Sequence, residues 1–163
     1  MLAQQVMMTR LDLRPGDGEL VDVDKWAGYE FERRAVWRHL HDCGVANPVV
    51  RTGDVHKNWA NELTRDFDRE AGARQPVAVE LVGTSITSGG DGVDRPDYFE
   101  QLGAENPAVK YHNSERGYVR CEVTPRQWRT DFRTVPYVSR PGAPLQTRAS
   151  WVVEDGRSKL ERA

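Results

Sequence analysis

Apolar and polar positions follow two periods along this chain, and each change of period marks a new element. Residues 2–8, Leu-Ala-Gln-Gln-Val-Met-Met, read as a strand. A turn-rich loop follows at Arg14-Pro15-Gly16-Asp17-Gly18. A helix is predicted from Asp24, whose carboxylate suits an N-cap, to about Cys43, with Gly44 as its stop. Trp26, Tyr29, Val36, Trp37 and Leu40 form its apolar stripe, while Glu30, Glu32, Arg33, Arg34 and Arg38 mostly cover the outer face. Residues 48–52 read as a short strand that stops at Gly53. Trp59, Leu63 and Phe67 then recur at i, i+4 and i+8, which predicts a second helix.

Val77-Ala78-Val79-Glu80-Leu81-Val82 is short and rich in β-branched residues, the mark of a largely buried strand. It ends in Gly83-Thr84-Ser85-Ile86-Thr87-Ser88-Gly89-Gly90-Asp91-Gly92, a loop of hydroxyls and glycines. A short helix over 97–102 is closed by Gly103 and by Asn106-Pro107. Three strands of antiparallel character follow, over 109–112, 117–123 and 128–135, with Thr124-Pro125-Arg126-Gln127 as the turn between the last two. Pro136, Pro141 and Pro144 interrupt regular structure before a last strand over 148–153 and a charged tail over 154–163. No repeat or linker divides the chain, so the pattern is that of one α/β (α+β) unit.

Composition narrows the function. The 163 residues are 38% hydrophobic and 29% charged, which is enough apolar surface for a core. A net charge of -2 argues against a nucleic-acid binder, which would need a basic face. No apolar run approaches the ~18 residues of a membrane-spanning helix. The first residues lack a cationic region ahead of an apolar one, so no signal peptide is expected. Cys43 and Cys121 show no Cys-x-x-Cys spacing; they read as small hydrophobes, and whether they pair stays open.

The candidate chemistry lies at the end of the strand over 48–52. Asp54 and His56, two residues apart, can point the same way from an extended backbone and offer an anionic oxygen and a neutral nitrogen. Such a pair suits a divalent or trivalent metal, and it equally suits capping and hydrogen bonding within a loop. His39 and His41 cannot face one site from a helix. The loop over 83–92 could cradle phosphate with backbone N–H groups, although it lacks the P-loop lysine; a glycine-rich turn with local hydroxyl caps explains it as well.

Taken together, Gly53-Asp54-Val55-His56-Lys57-Asn58-Trp59, Val82-Gly83-Thr84-Ser85-Ile86-Thr87-Ser88-Gly89-Gly90-Asp91-Gly92, Asn106-Pro107, Arg116-Gly117-Tyr118-Val119-Arg120 and Pro136-Tyr137-Val138 resemble the alkaline phosphatase D (PhoD-like) family. Trp26-Ala27-Gly28-Tyr29 is similar to its Trp-Asp-Gly-Tyr, departing at Ala27. The resemblance implies a calcineurin-like metallophosphoesterase fold, of which residues 1–163 would be the carboxy-terminal portion. It implies hydrolysis of phosphomonoesters and phosphodiesters with calcium and iron as metals. Asp54 would be a metal ligand, and His56 a ligand or an active-site hydrogen-bond donor. Asn58 and Trp59 would support the site from behind, and Thr84 and Ser85 are candidates for phosphate contact. The family's amino-terminal ligands have no counterpart here, so the isolated chain is expected to be inactive, a fragment of a longer reading frame. Family members are exported, which leaves the location of this chain open. The alternatives are an interaction protein that completes its sheet with a partner, either an amino-terminal half or a second copy, and a carbohydrate- or nucleotide-binding module.

Overall fold

The computed structural model of the chain describes residues 1–14, 16–65 and 75–163. Among these, β1 (Leu2–Ala3), β2 (Val49–Thr52), β3 (Asn58–Thr64), β4 (Pro76–Val82) and β5 (Val109–Asn113) form one mixed sheet in the order β1-β2-β4-β3-β5. Strands β1, β2 and β4 run parallel, and β3 is antiparallel to both β4 and β5. β6 (Arg116–Val123), β7 (Gln127–Val135), β8 (Gln146–Glu154) and β9 (Glu161–Arg162) make a second, wholly antiparallel sheet. α1 (Glu30–Asp42) and α2 (Phe99–Glu105) cover the outer face of the first sheet.

The alternation along β4 shows how the layers are built. Val79 and Leu81 point toward the second sheet, where Phe132, Ala149, Trp151 and Val153 complete the core between the sheets. Ala78 and Val82 point the other way, to Trp37 of α1 and Leu102 of α2 respectively. Glu80 shares that second face and has no exposed surface at all. Its Oε1 accepts from the Met8 N–H at 2.7 Å and the Thr52 hydroxyl at 2.8 Å. Its Oε2 accepts from the Thr9 hydroxyl at 2.5 Å, the Thr9 N–H at 3.1 Å and Asn61 Nδ2 at 3.3 Å. A buried carboxylate is tolerated only when hydrogen-bonded in this way.

Several sequence expectations meet corrections here. The first strand covers only Leu2–Ala3, because the N–H groups of Met8 and Thr9 turn to Glu80 rather than to a neighbouring strand. The helix begins at Glu30, not Asp24: Trp26–Gly28 is a separate 3-10 turn, and no side chain caps α1. Its end is as expected. Gly44 adopts φ 64°, and the Gly44 and Val45 N–H groups close on the His41 and Leu40 carbonyls at 2.9 Å each. Arg33 is not on the outer face but fully buried, donating to the Met8 carbonyl at 3.1 Å and the Thr64 carbonyl at 2.6 Å.

The largest correction concerns Trp59 and Leu63, which lie on a strand rather than a helix; Phe67 falls outside the described residues. A spacing of four is even, so it fits one face of a strand as well as one stripe of a helix. The polar residues between them obscure the strand because each finds a partner inside. Asn61 bonds Glu80, and Glu62 accepts the Leu160 N–H at 3.0 Å and pairs with Lys110 at 3.3 Å. The same bond anchors part of the charged tail, whose Glu161–Arg162 form β9. The remaining strands agree with the sequence reading to within two residues at each end, and α2 lies two to three residues later than expected.

Glu115 sits where the chain leaves the first sheet for the second. Arg148 grips its two oxygens at 2.7 Å each, and the Thr134 hydroxyl donates at 2.7 Å. Burial pushes this carboxyl up, but the bonds from Arg148, Thr134 and Asn113 outweigh it and hold the group below its ordinary value of 4.5.

Two outcomes are expected. Glu80→Gln keeps the shape but turns an N–H pair toward buried donors, and should cost roughly 2–3 kcal/mol, read as a shift of the urea midpoint at constant slope. Because the folded-state pKa of Glu115 is depressed, its contribution is complete above about pH 4.5 and is lost as pH falls through the lower folded value. Glu115→Gln should therefore flatten the acid limb of stability against pH, measured by chemical unfolding at a series of pH values. An unchanged limb would refute the assignment.

Candidate functional site

β2 and β4 run parallel, so the loops that leave their carboxyl ends emerge side by side. One is the 53–57 connection, and the other is the glycine-rich loop over 83–92. The first passes to β3, so it is a strand-to-strand crossing rather than the strand-to-helix junction the sequence suggested. Nor is it extended. Asp54 has φ 69° and His56 φ 53°, left-handed values that cost of order 1–2 kcal/mol for a residue bearing a Cβ. Such conformations persist where the surroundings impose them.

The surroundings here are Arg116 and Lys25. Arg116 is almost wholly buried, and its Nη1 donates to the His56 carbonyl at 2.7 Å, the Ser88 carbonyl at 2.7 Å and the Ser85 hydroxyl at 2.8 Å. Its Nη2 donates to the Ser114 carbonyl. One guanidinium thus fastens both loops together. Gly92 completes the fit: a Cβ there would lie 1.7 Å from the Ser114 carbonyl oxygen. On the other side, the Lys25 ammonium lies 3.2 Å from Asp54 and 3.4 Å from Asp22.

Asp54 and His56 are both exposed and line one cavity of about 370 Å³, shared with Asp22, Lys25, Lys57 and Trp59. Their donor chemistry suits a hard or borderline cation, but two protein donors do not hold a catalytic ion. Among the described residues no group of three or more His, Cys, Asp or Glu side chains could hold one.

Asn58 sits behind them, fully buried. Its Oδ1 accepts the Thr84 N–H at 3.1 Å, and its Nδ2 donates to Asn113 at 3.1 Å. The Ser85 hydroxyl is engaged inside its own loop, donating to the Ser88 carbonyl at 2.6 Å while accepting from Arg116. The Thr84 hydroxyl is enclosed and has no hydrogen-bond partner.

His112, on β5, does not reach the cavity group. It stacks on Trp59 with ring centroids 3.7 Å apart. Its Nδ1 lies 3.2 Å from the Asn58 carbonyl, which can only accept, so Nδ1 carries the proton. Nε2 then accepts from the Tyr98 hydroxyl at 2.9 Å, and Tyr98 in turn accepts from Lys57 Nζ at 2.9 Å. Burial lowers the His112 pKa to about 4, with the Lys57 charge adding to it against the Asn58 bond, so the ring is neutral near pH 7.

Sequence reasoning missed Lys25, Arg116 and Tyr98 as parts of this arrangement. Arg116 stood inside a motif that had been singled out and Lys25 directly beside one, but nothing in their spacing says that they meet the 53–57 loop.

Comparison with known proteins places this geometry. The family model for PhoD-like phosphatase matches residues 1–132. Alkaline phosphatase D of Bacillus subtilis (strain 168) is 40% identical over 161 residues, a match covering 99% of this chain and 27% of the relative. A solved structure described as the structure of PhoD superposes with a TM-score of 0.91 at 40% identity, over 99% of this chain and 31% of that one. The chain therefore spans about a third or less of the proteins it matches. Its two-sheet α/β architecture is the calcineurin-like one. With the match running from the first residue into β7, across both loops of the candidate site, the chain belongs to the PhoD-like phosphatase family.

Proposed function

We propose that this chain carries one wall of a metal-dependent phosphoesterase site, with Asp54 as a metal ligand and His56 as a second ligand or a hydrogen-bond donor to the substrate. The observation that carries the reading is their placement: both line one cavity between the loop beyond the carboxyl end of β2 and the amino-terminal segment, on a backbone held in left-handed conformations. Calcium and iron are the metals the family resemblance implies, and phosphomonoesters and phosphodiesters the substrates. A bound metal would supply an activated water and neutralise the leaving oxygen. What this chain's residues do is position and orient. Arg116 fixes the His56 backbone, Asn58 fixes the start of the glycine-rich loop through the Thr84 N–H, and Lys25 pairs with Asp54.

With two donors in hand, the chain alone falls short of a catalytic centre. The purified chain should not hydrolyse bis-p-nitrophenyl phosphate above an Asp54→Ala/His56→Ala double variant, with calcium and iron added. Turnover abolished by the double variant would overturn this. In a chimera joining this chain to the remainder of the Bacillus subtilis relative, Asp54→Asn should lower both metal content and turnover by about 100-fold or more, since changes merely behind a ligand already cost 10–100-fold. Unchanged metal content, measured by elemental analysis, would refute Asp54 as a ligand.

A further inference from the structure

The two lysines of the cavity are not equivalent. The Lys25 ammonium is shared by Asp22 and Asp54, so its charge is neutralised. Lys57 has no carboxylate partner among the described residues. Its Nζ donates to the Tyr98 hydroxyl at 2.9 Å and lies 5.0 Å from the centre of the Tyr98 ring. Tyr98 is itself directional, because its proton points to His112 Nε2 at 2.9 Å and its lone pairs are left for Lys57. His112 is locked in turn by the Asn58 carbonyl at 3.2 Å and by stacking on Trp59. The chain of donors therefore runs one way, from the ammonium of a cavity-lining lysine to a carbonyl in the sheet.

We infer that Lys57 is an anion-binding residue of this cavity, taking a phosphoryl oxygen, and that Tyr98 is the positioning residue that aims its ammonium. The inference rests on the reading of the cavity as a phosphoester site. An ammonium has three protons, and Tyr98 uses one, which leaves two for a ligand. Partly buried and unpaired, such a charge has more to offer an oxyanion than one on an open surface. Trp59, another wall of the cavity, also keeps a buried Nε1–H with no acceptor. Of the two negative charges that would oppose an anion, those of Asp22 and Asp54, Lys25 offsets one, and Lys57 is the cation left to meet the other or a ligand.

The test is titration of the full chain with inorganic phosphate, followed by 31P NMR in the presence of a chelator. Chelation removes any metal-held phosphate, so failure of the metal reading leaves this measurement untouched, and failure here leaves Asp54-dependent metal binding untouched. Lys57→Met should weaken phosphate binding about tenfold, the scale of one hydrogen bond from a charged group, and Lys57→Arg should restore most of it. Tyr98→Phe should weaken it severalfold in the parent chain and have no further effect once Lys57→Met is present, because it acts through the ammonium. Equal binding by the parent and Lys57→Met, or no measurable phosphate binding by the parent, would overturn the inference. An equal effect of Tyr98→Phe in both backgrounds would reduce Tyr98 to a structural role and overturn its positioning.

Discussion

A carboxylate with no access to water has to be met by donors from somewhere, and in this protein Glu80 draws them from three separate stretches of the sequence. Met8 and Thr9 come from the amino-terminal segment, Thr52 from the end of β2, and Asn61 from the middle of β3. Removing an ionised carboxylate from water costs several kcal/mol unless it is fully hydrogen-bonded, so these segments cannot drift apart independently. Arg33 extends the constraint: its guanidinium, also without exposure, binds the carbonyl of Met8 and the last carbonyl of β3, which ties α1 to the same knot. The cavity wall formed by Met7 and Thr9 exists because the segment is held there.

The candidate site is built on the opposite principle. Its two loops adopt strained or glycine-dependent backbone, and little of their own packing fixes them. They are held from behind, by Arg116 on four carbonyl and hydroxyl oxygens and by Asn58 between the loops. Asp91 adds a third tether, accepting the Val138 N–H at 2.6 Å and the Ser139 N–H at 2.9 Å, which pulls the proline-rich crossing segment against the glycine-rich loop. The loops therefore do not depend on the cavity side chains of Asp54 and His56 for their support, which comes from Arg116 and Asn58. This division of labour, rigid support with open donors, is what binding of a small charged ligand requires.

Some of this was legible in the residues alone. The β-branched run over 77–82 could only be a buried strand, Gly44 could only end a helix, and the short strands after residue 108 showed their turns plainly. Asp54 and His56 were recognisable as a pair, and the family followed from motifs spread over most of the chain. These features are local: each depends on propensity, turn chemistry or a short spacing, which a linear chain displays.

Tertiary structure alone decided the rest, and for one physical reason. A polar side chain does not announce its partner in the sequence. Trp59 and Leu63 read as a helical stripe because Asn61 and Glu62 between them looked solvent-facing, yet both find partners across the sheet from Glu80, Lys110 and the Leu160 N–H. Arg33 looked like an outer-face residue and is the most enclosed large side chain of α1. Lys25 and Lys57 carry the same charge, and only their distances to Asp22, Asp54 and Tyr98 make one neutralised and the other free. The amino-acid sequence determined the elements and the family; long-range hydrogen bonds to buried charges decided which faces close and which charge stays open to a ligand.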